Sequence, residues 1–253
     1  MFEPYARSNY SSCCNASPHP VGLNEIVVNG CSKDLHLKNS KKNNDDLKTR
    51  LIEAAGEIFA EHGYRSATIR KICQKAGAHV GAVNYHFRDK QGLFADVLQH
   101  AHAWSVRKYP PDQGLKEGTT AEEKLRAFIR SFLLRVLGDG VPDWHGRLIA
   151  REIVDHSDAL DQMVKNSVQP LYVYLKEIID ELLRNDPEGP DHHEHTFLCA
   201  MSVLGQCLNH FTGRNIVLKI KPHGFDPMDI ELITQHITCF SLGGIREIRD
   251  RKC

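Results

Sequence analysis

The chain has 253 residues, 41% of them hydrophobic, enough for one large domain or two modest ones with buried cores, so disorder throughout is excluded. Its 32 basic residues balance 32 acidic ones, so any attraction to nucleic acid must come from a local concentration of charge. No run reaches the roughly 18 apolar residues that cross a bilayer, and the first ten residues lack the apolar stretch of a signal peptide. Eight cysteines are scattered with no CxxC pair, which fits neither a zinc site nor a disulfide framework, and a reducing cytoplasm is the expected setting.

Residues 1–44 are rich in Ser, Asn, Pro and Gly around one apolar patch at Leu23 to Val28, and are expected to be a mostly disordered extension; Lys41 and Lys42 are its basic pair. From Asp45 the pattern changes. Leu47, Leu51, Ala55, Ile58 and Phe59 recur at helical spacing, with Gly63 as the expected C-cap. Thr68 opens a short amphipathic segment closed by Gly77, VGAVNYHF forms another, and Asp89 is placed to cap a fourth helix carrying Leu93, Phe94, Val97, Leu98 and Ala101. Beyond Pro110 and Pro111 a connector leads to long helical patterns at roughly 121–137, 144–155, 159–184, 194–212 and 227–248. VLKI at 217–220 reads either as strand or helix. The expected fold is all-α: a helix-turn-helix domain at 45–92 and a larger helical ligand-binding and dimerisation domain at 93–253.

Two short helices joined by a tight glycine-containing turn describe a helix-turn-helix, whose second helix enters the major groove while the first crosses the backbone. Here they are Thr68 to Ala76 and Val80 to Phe87. Between His62 and Leu93 the net charge is +5, and the rest of the chain carries −5. Charge is thus segregated onto the module that would neutralise DNA phosphates. Gly81 and Ala82 allow close approach to the groove floor. His79, Asn84, Tyr85 and His86 supply polar groups, and Val80 or Ala82 can touch a thymine methyl. Thr68 and Lys90, at helix starts, sit where a backbone phosphate is readily held.

The stretch ATIRKICQKAGAHVGAVNYHFRDKQGLFADVL resembles the DNA-binding domain of the TetR/AcrR family, with its T-x-x-x-I-x-x-x-A-G turn and Y-H-F-x-x-K-x-x-L ending, over roughly residues 47–100. The resemblance implies phosphate contact by Thr68, Tyr85 and Lys90 and groove contact from residues 79–86. AREIVDHSDALDQMV with QPLY, SVLGQCLNHFTGR and HITCFSLGGI are similar to the CecR/CerR-type C-terminal domain. A regulator of this kind is expected to repress from a palindromic operator of double-stranded DNA and to be released by a small-molecule inducer of unknown identity. It is expected to be a homodimer joined through its last two long helices, and to be neither an enzyme nor a holder of a metal or cofactor.

Aromatic residues in the second domain, among them Phe128, Tyr174 and Phe211, provide material for an apolar cavity. The expected ligand-binding set is Trp104, Phe132, Trp144, Arg147, Arg151, Tyr172 and Gln206, with His145 as a further polar anchor. Rival readings are metal sensing by His192, His193 and His195, and redox sensing by Cys199 and Cys207. Another is an enzyme using Asp155 with His156 or Asp158, although no nucleophile elbow, phosphate loop or HExxH motif accompanies them. The last is an architectural or protein-partner-regulated DNA-binding factor with no small ligand.

Overall fold

The computed structural model describes residues 32–138, 141–155, 161, 163–183 and 192–250; the Leu23 to Val28 patch, His156 and Asp158 lie outside the described residues. The chain divides between Lys42 and Asn43 into a short N-terminal unit, described only from Ser32, and a large unit holding the rest. The described residues are helical with no strand. VLKI accordingly falls in a helix.

Four helices build the N-terminal head. Helix α1 spans Ser32–Ser66, starting ahead of the expected Asp45. The segment before Asp45 has no apolar period to announce it, but its Lys and Leu residues are good helix formers. At Gly63 the backbone takes φ 77° and ψ 164°, so α1 kinks and continues to Ser66 where a cap had been expected. Helix α2 (Ile69–Ala76) starts at Thr68, whose hydroxyl accepts from the Lys71 N–H at 3.3 Å, and ends at Gly77 in the left-handed region. Helix α3 (Val80–Phe87) packs on α2 and on α4 (Lys90–Lys108), which Asp89 caps by accepting from the Gly92 N–H at 2.8 Å. The shared core contains Leu51, Phe59, Ile72, Val83, Phe87, Leu93 and Phe94. Phe94 meets Phe59 edge to face, with ring centres 4.7 Å apart.

The remaining helices form a bundle. Helix α5 (Ala121–Leu137) opens with a reciprocal cap: Thr120 accepts from the Glu123 N–H, and Glu123 accepts from the Thr120 N–H. Helix α6 covers Asp143–Asp155. A π-helical turn at Val164–Val168 runs into α7 (Gln169–Leu183), where Pro170 lacks the N–H an unbroken α-helix needs. Helices α8 (His192–Thr212), α9 (Arg214–Ile220) and α10 (Ile230–Asp250) complete the order. Helix α5 lies against α7, α8 and α10, burying Leu125, Phe128, Ile129, Leu133, Ile178, Val203 and Ile237 among them.

Candidate nucleic-acid interface and effector region

Helix α3 buries only Val83 and Phe87 on its inner side. Its other side presents Val80, Gly81, Asn84 and Tyr85, with Tyr85 76% exposed, and the exposed Arg88 follows just beyond the helix, where the backbone leaves helical geometry at φ 71°. Ala82 and His86 flank it, half-buried, and the His86 ring stands edge-on to Tyr85 at 4.9 Å. His79 is the exposed residue immediately before the helix. An exposed valine and tyrosine beside Asn and Arg leave apolar and hydrogen-bonding groups together in solvent, the combination that reads base edges and phosphates. Thr68 and the exposed Arg70 and Lys71 lie at the start of α2.

Lys90 plays a second part. Its ammonium lies 4.6 Å from the centre of the Tyr64 ring and donates to the Arg65 carbonyl at 3.4 Å, and burial lowers its pKa. It thereby ties the start of α4 to the end of α1 beside the recognition helix. Arg88, exposed immediately after the helix, was not among the expected contacts.

The expected effector residues are divided among several places rather than gathered in one site. Trp144 belongs to the head's core: its ring covers Gly56 of α1 so closely that a Cβ built there would fall 2.5 Å from it, and its indole N–H donates to the Glu53 carboxylate at 3.1 Å. Arg151 reaches the same helix at its kink, donating to the Glu61 carbonyl at 3.4 Å and lying 2.7 Å from where a Cβ on Gly63 would be. Both residues of α6 therefore grip α1, because only glycine leaves room for side chains so near a helix backbone. Glycine in the middle of a strong helical pattern, at position 56, was the signal available beforehand.

Trp104 stands edge-on to His145 at 5.3 Å, and His145 edge-on to Trp144 at 4.1 Å. His145 is buried with neither ring nitrogen partnered, and burial, assisted by His100, lowers its pKa to about 4. His100 in turn pairs with Glu53 at 3.4 Å. Arg147 lies elsewhere, on an open groove of about 350 Å³ shared with Asp143, Phe211 and Arg214. Tyr172 meets Phe197, and Gln206 donates to Ser241 across the α8–α10 cleft. Phe132 lies beneath the guanidinium of Arg135, which was not among the expected site residues.

Among the described residues no group of three or more His, Cys, Asp or Glu is gathered to hold a metal. Cys199 and Cys207 are buried, and burial pushes the Cys207 thiol up to about 12, opposite to the shift a redox-reactive thiol needs. No helix among the described residues is long and apolar enough to cross a membrane.

Two family models cover most of the folded chain. Residues 51–97 match the bacterial regulatory proteins of the tetR family, and residues 121–245 match the C-terminal domain of the HTH-type transcriptional dual regulator CecR. The chain belongs to the TetR family of transcriptional regulators. It is 26% identical over 204 residues to the CecR regulator of Shigella flexneri, covering 77% of this chain and 89% of that protein. Two solved structures share the fold: FadR from Bacillus subtilis in complex with stearoyl-CoA, and AibR in complex with isovaleryl coenzyme A and operator DNA. FadR has a TM-score of 0.59 at 18% identity over 78% of this chain and 98% of its own. AibR has 0.55 at 16% over 77% and 97%. The chain is thus a DNA-binding transcriptional regulator with a CecR-type C-terminal domain.

Proposed function

We propose that this regulator is a homodimeric repressor, released from a palindromic operator when a small molecule binds its helical domain. The DNA module is assigned to residues 45–92, with Thr68, His79, Val80, Gly81, Ala82, Asn84, Tyr85, His86 and Lys90 making the contacts and Arg88 extending them. Residues 93–253 are assigned to effector binding and dimerisation. The observation that carries the release mechanism is the clasp of α6 on α1. Trp144 at Gly56 and Arg151 at Gly63 make the pose of the head depend on where α6 lies.

A short recognition helix spans only a few base pairs, so two copies must read half-sites at a fixed separation. Supporting a dimer, α8 and α10 expose Phe197, Leu198, Met201, Leu232 and Phe240, the last 67% exposed. Gly205, Gly243 and Gly244 on the same helices have open space where a side chain would stand, which permits close helix approach. An effector that favours one placement of α6 shifts the separation of the two recognition helices. It shifts the equilibrium only by as much as its affinity differs between the two poses. Couplings of about 1–3 kcal/mol, or roughly 5- to 150-fold in affinity, are usual. FadR and AibR are described with coenzyme A thioesters, which makes such thioesters the first compounds to try.

The test is a fluorescence-anisotropy titration of the protein against the DNA upstream of its own gene, at two salt concentrations. The expected result is saturable binding of two protomers per palindrome that weakens steeply with salt, as neutralised phosphates require. Tyr85→Ala is expected to weaken it by about 1–3 kcal/mol, the usual cost of losing one specific contact. Weak binding, equal for unrelated DNA and unchanged by the substitution, overturns the assignment.

A further inference from the structure

Three arginines of α5 meet different fates. Arg126 and Arg130, on its surface, share the Glu231 carboxylate of α10, and Arg130 also donates to Gln113 at 2.8 Å. Arg135, farther along the same helix, is only 8% exposed, and neither of its terminal nitrogens has a hydrogen-bond partner. Among the described residues, the titratable groups interacting with it, Cys207 and His102, are neutral. The Phe132 ring centre lies 5.6 Å from the guanidinium carbon. The Cys207 thiol of α8 is held protonated by burial. His102 of α4 has its pKa lowered to about 4, by burial first and by the Arg135 charge second.

Burial lowers the pKa of Arg135 itself only to about 10, so the guanidinium stays charged at neutral pH. Leaving an ion buried and unpaired is among the most destabilising arrangements a protein can hold, and lysine or arginine is almost never fully buried without a partner. A planar fork of donors in an apolar setting matches a carboxylate or phosphate bidentately. Arg135 of α5 faces α4 through His102 and α8 through Cys207, α8 carrying part of the proposed dimer face.

Building on the effector-release reading above, we infer that the effector is an organic anion, an acidic group joined to an apolar body, whose negative charge pairs with Arg135 between α4, α5 and α8. The apolar body lies along Phe132, and the neutral His102 and Cys207 add no competing negative charge. Arg135 is then the recognition element. In the empty protein the same guanidinium costs stability.

The experiment compares octanoate, octanoyl-coenzyme A and octan-1-ol on the full chain, reading thermal unfolding and operator binding together, in wild type, Arg135→Met and Arg135→Gln. Expected in wild type is stabilisation and operator release by at least one anion and not by the alcohol at the same concentration. Octanoate acting alone assigns a free carboxylate, and the thioester acting alone assigns a coenzyme A phosphate. Both variants are expected to lose that anion preference, with affinity for the effective anion down about 10- to 100-fold, the usual yield of a charge-assisted pair. Arg135→Met is expected to melt higher than wild type without ligand, which also shows that it folds. No preference for anions over octanol in wild type, or an undiminished preference in either variant, overturns the inference. If the wild type binds operator but shows no anion preference, this inference alone fails; if it binds no operator, the repressor reading fails.

Discussion

The head and the bundle differ in how completely they satisfy themselves. In the head, polar side chains near the core find partners within a turn or across one helix: Thr68 and Asp89 cap helices, Lys90 is taken up by Tyr64 and Arg65, and Trp144 finds Glu53. Among the described residues, the buried side-chain nitrogens and oxygens with no partner belong to Arg135, His145 and Thr234, all beyond α4. The bundle also leaves Phe197, Leu198 and Phe240 in solvent. A module that docks as a rigid shape has its groups paired in advance. A module completed by a ligand and a second copy leaves groups open for them.

The largest effect that tests this contrast is expected at the clasp where the two regions meet. Trp144→Ala removes a buried ring from a slot that only Gly56 makes, so a loss of about 3–5 kcal/mol in urea unfolding is expected. The same variant, assayed at a temperature where it is folded, is expected to bind operator without responding to effector. A loss below about 1 kcal/mol, with release intact, breaks the idea that α6 transmits the signal through α1.

Acid is the next test, and it acts where the head meets the bundle. His102 and His145 have folded-state pKa values of about 4 against an ordinary 6.5, because burial disfavours their charged forms. Between those values the unfolded chain binds protons that the folded chain does not. Their contribution is therefore fully present above pH 6.5 and is lost progressively as pH falls towards 4. The melting temperature is expected to fall from pH 7 to pH 5 in wild type and to fall less in His145→Phe, which surrenders no hydrogen bond because neither nitrogen makes one. An identical slope in the two proteins removes His145 as a source.

The same contrast governs what could be read in advance. The helix-turn-helix was legible because its signals are local: a threonine cap, a glycine in the turn, two buried residues per short helix and a concentration of positive charge. The long helix at 121–137 was legible from its apolar period. The effector set was not, because the aromatic residues expected to form one cavity are divided by tertiary packing. Trp144 goes to the head, Tyr172 to Phe197, and Phe132 to Arg135. Arg135 was invisible because an arginine between Leu134 and Val136 on an amphipathic helix reads as a surface residue until the third helix that covers it is in place. The π turn before α7 was hidden for a related reason, since an apolar period does not reveal it.

The smallest expected effect carries the most diagnostic sign. Thr68→Ala removes an exposed hydroxyl that caps α2, and caps of this kind are worth about 0.5–2 kcal/mol. The variant is expected to melt lower than wild type, with Thr68→Ser restoring most of the loss, and to bind all operator variants more weakly by the same factor, because a backbone contact carries no base preference. Arg135→Met deletes a larger, buried and fully charged group, yet is expected to melt higher. Opposite signs from an exposed hydroxyl and a buried guanidinium follow only if the first is paired in the free protein and the second awaits its partner. If both substitutions destabilise, the bundle is already complete without an effector and the contrast between the two regions collapses.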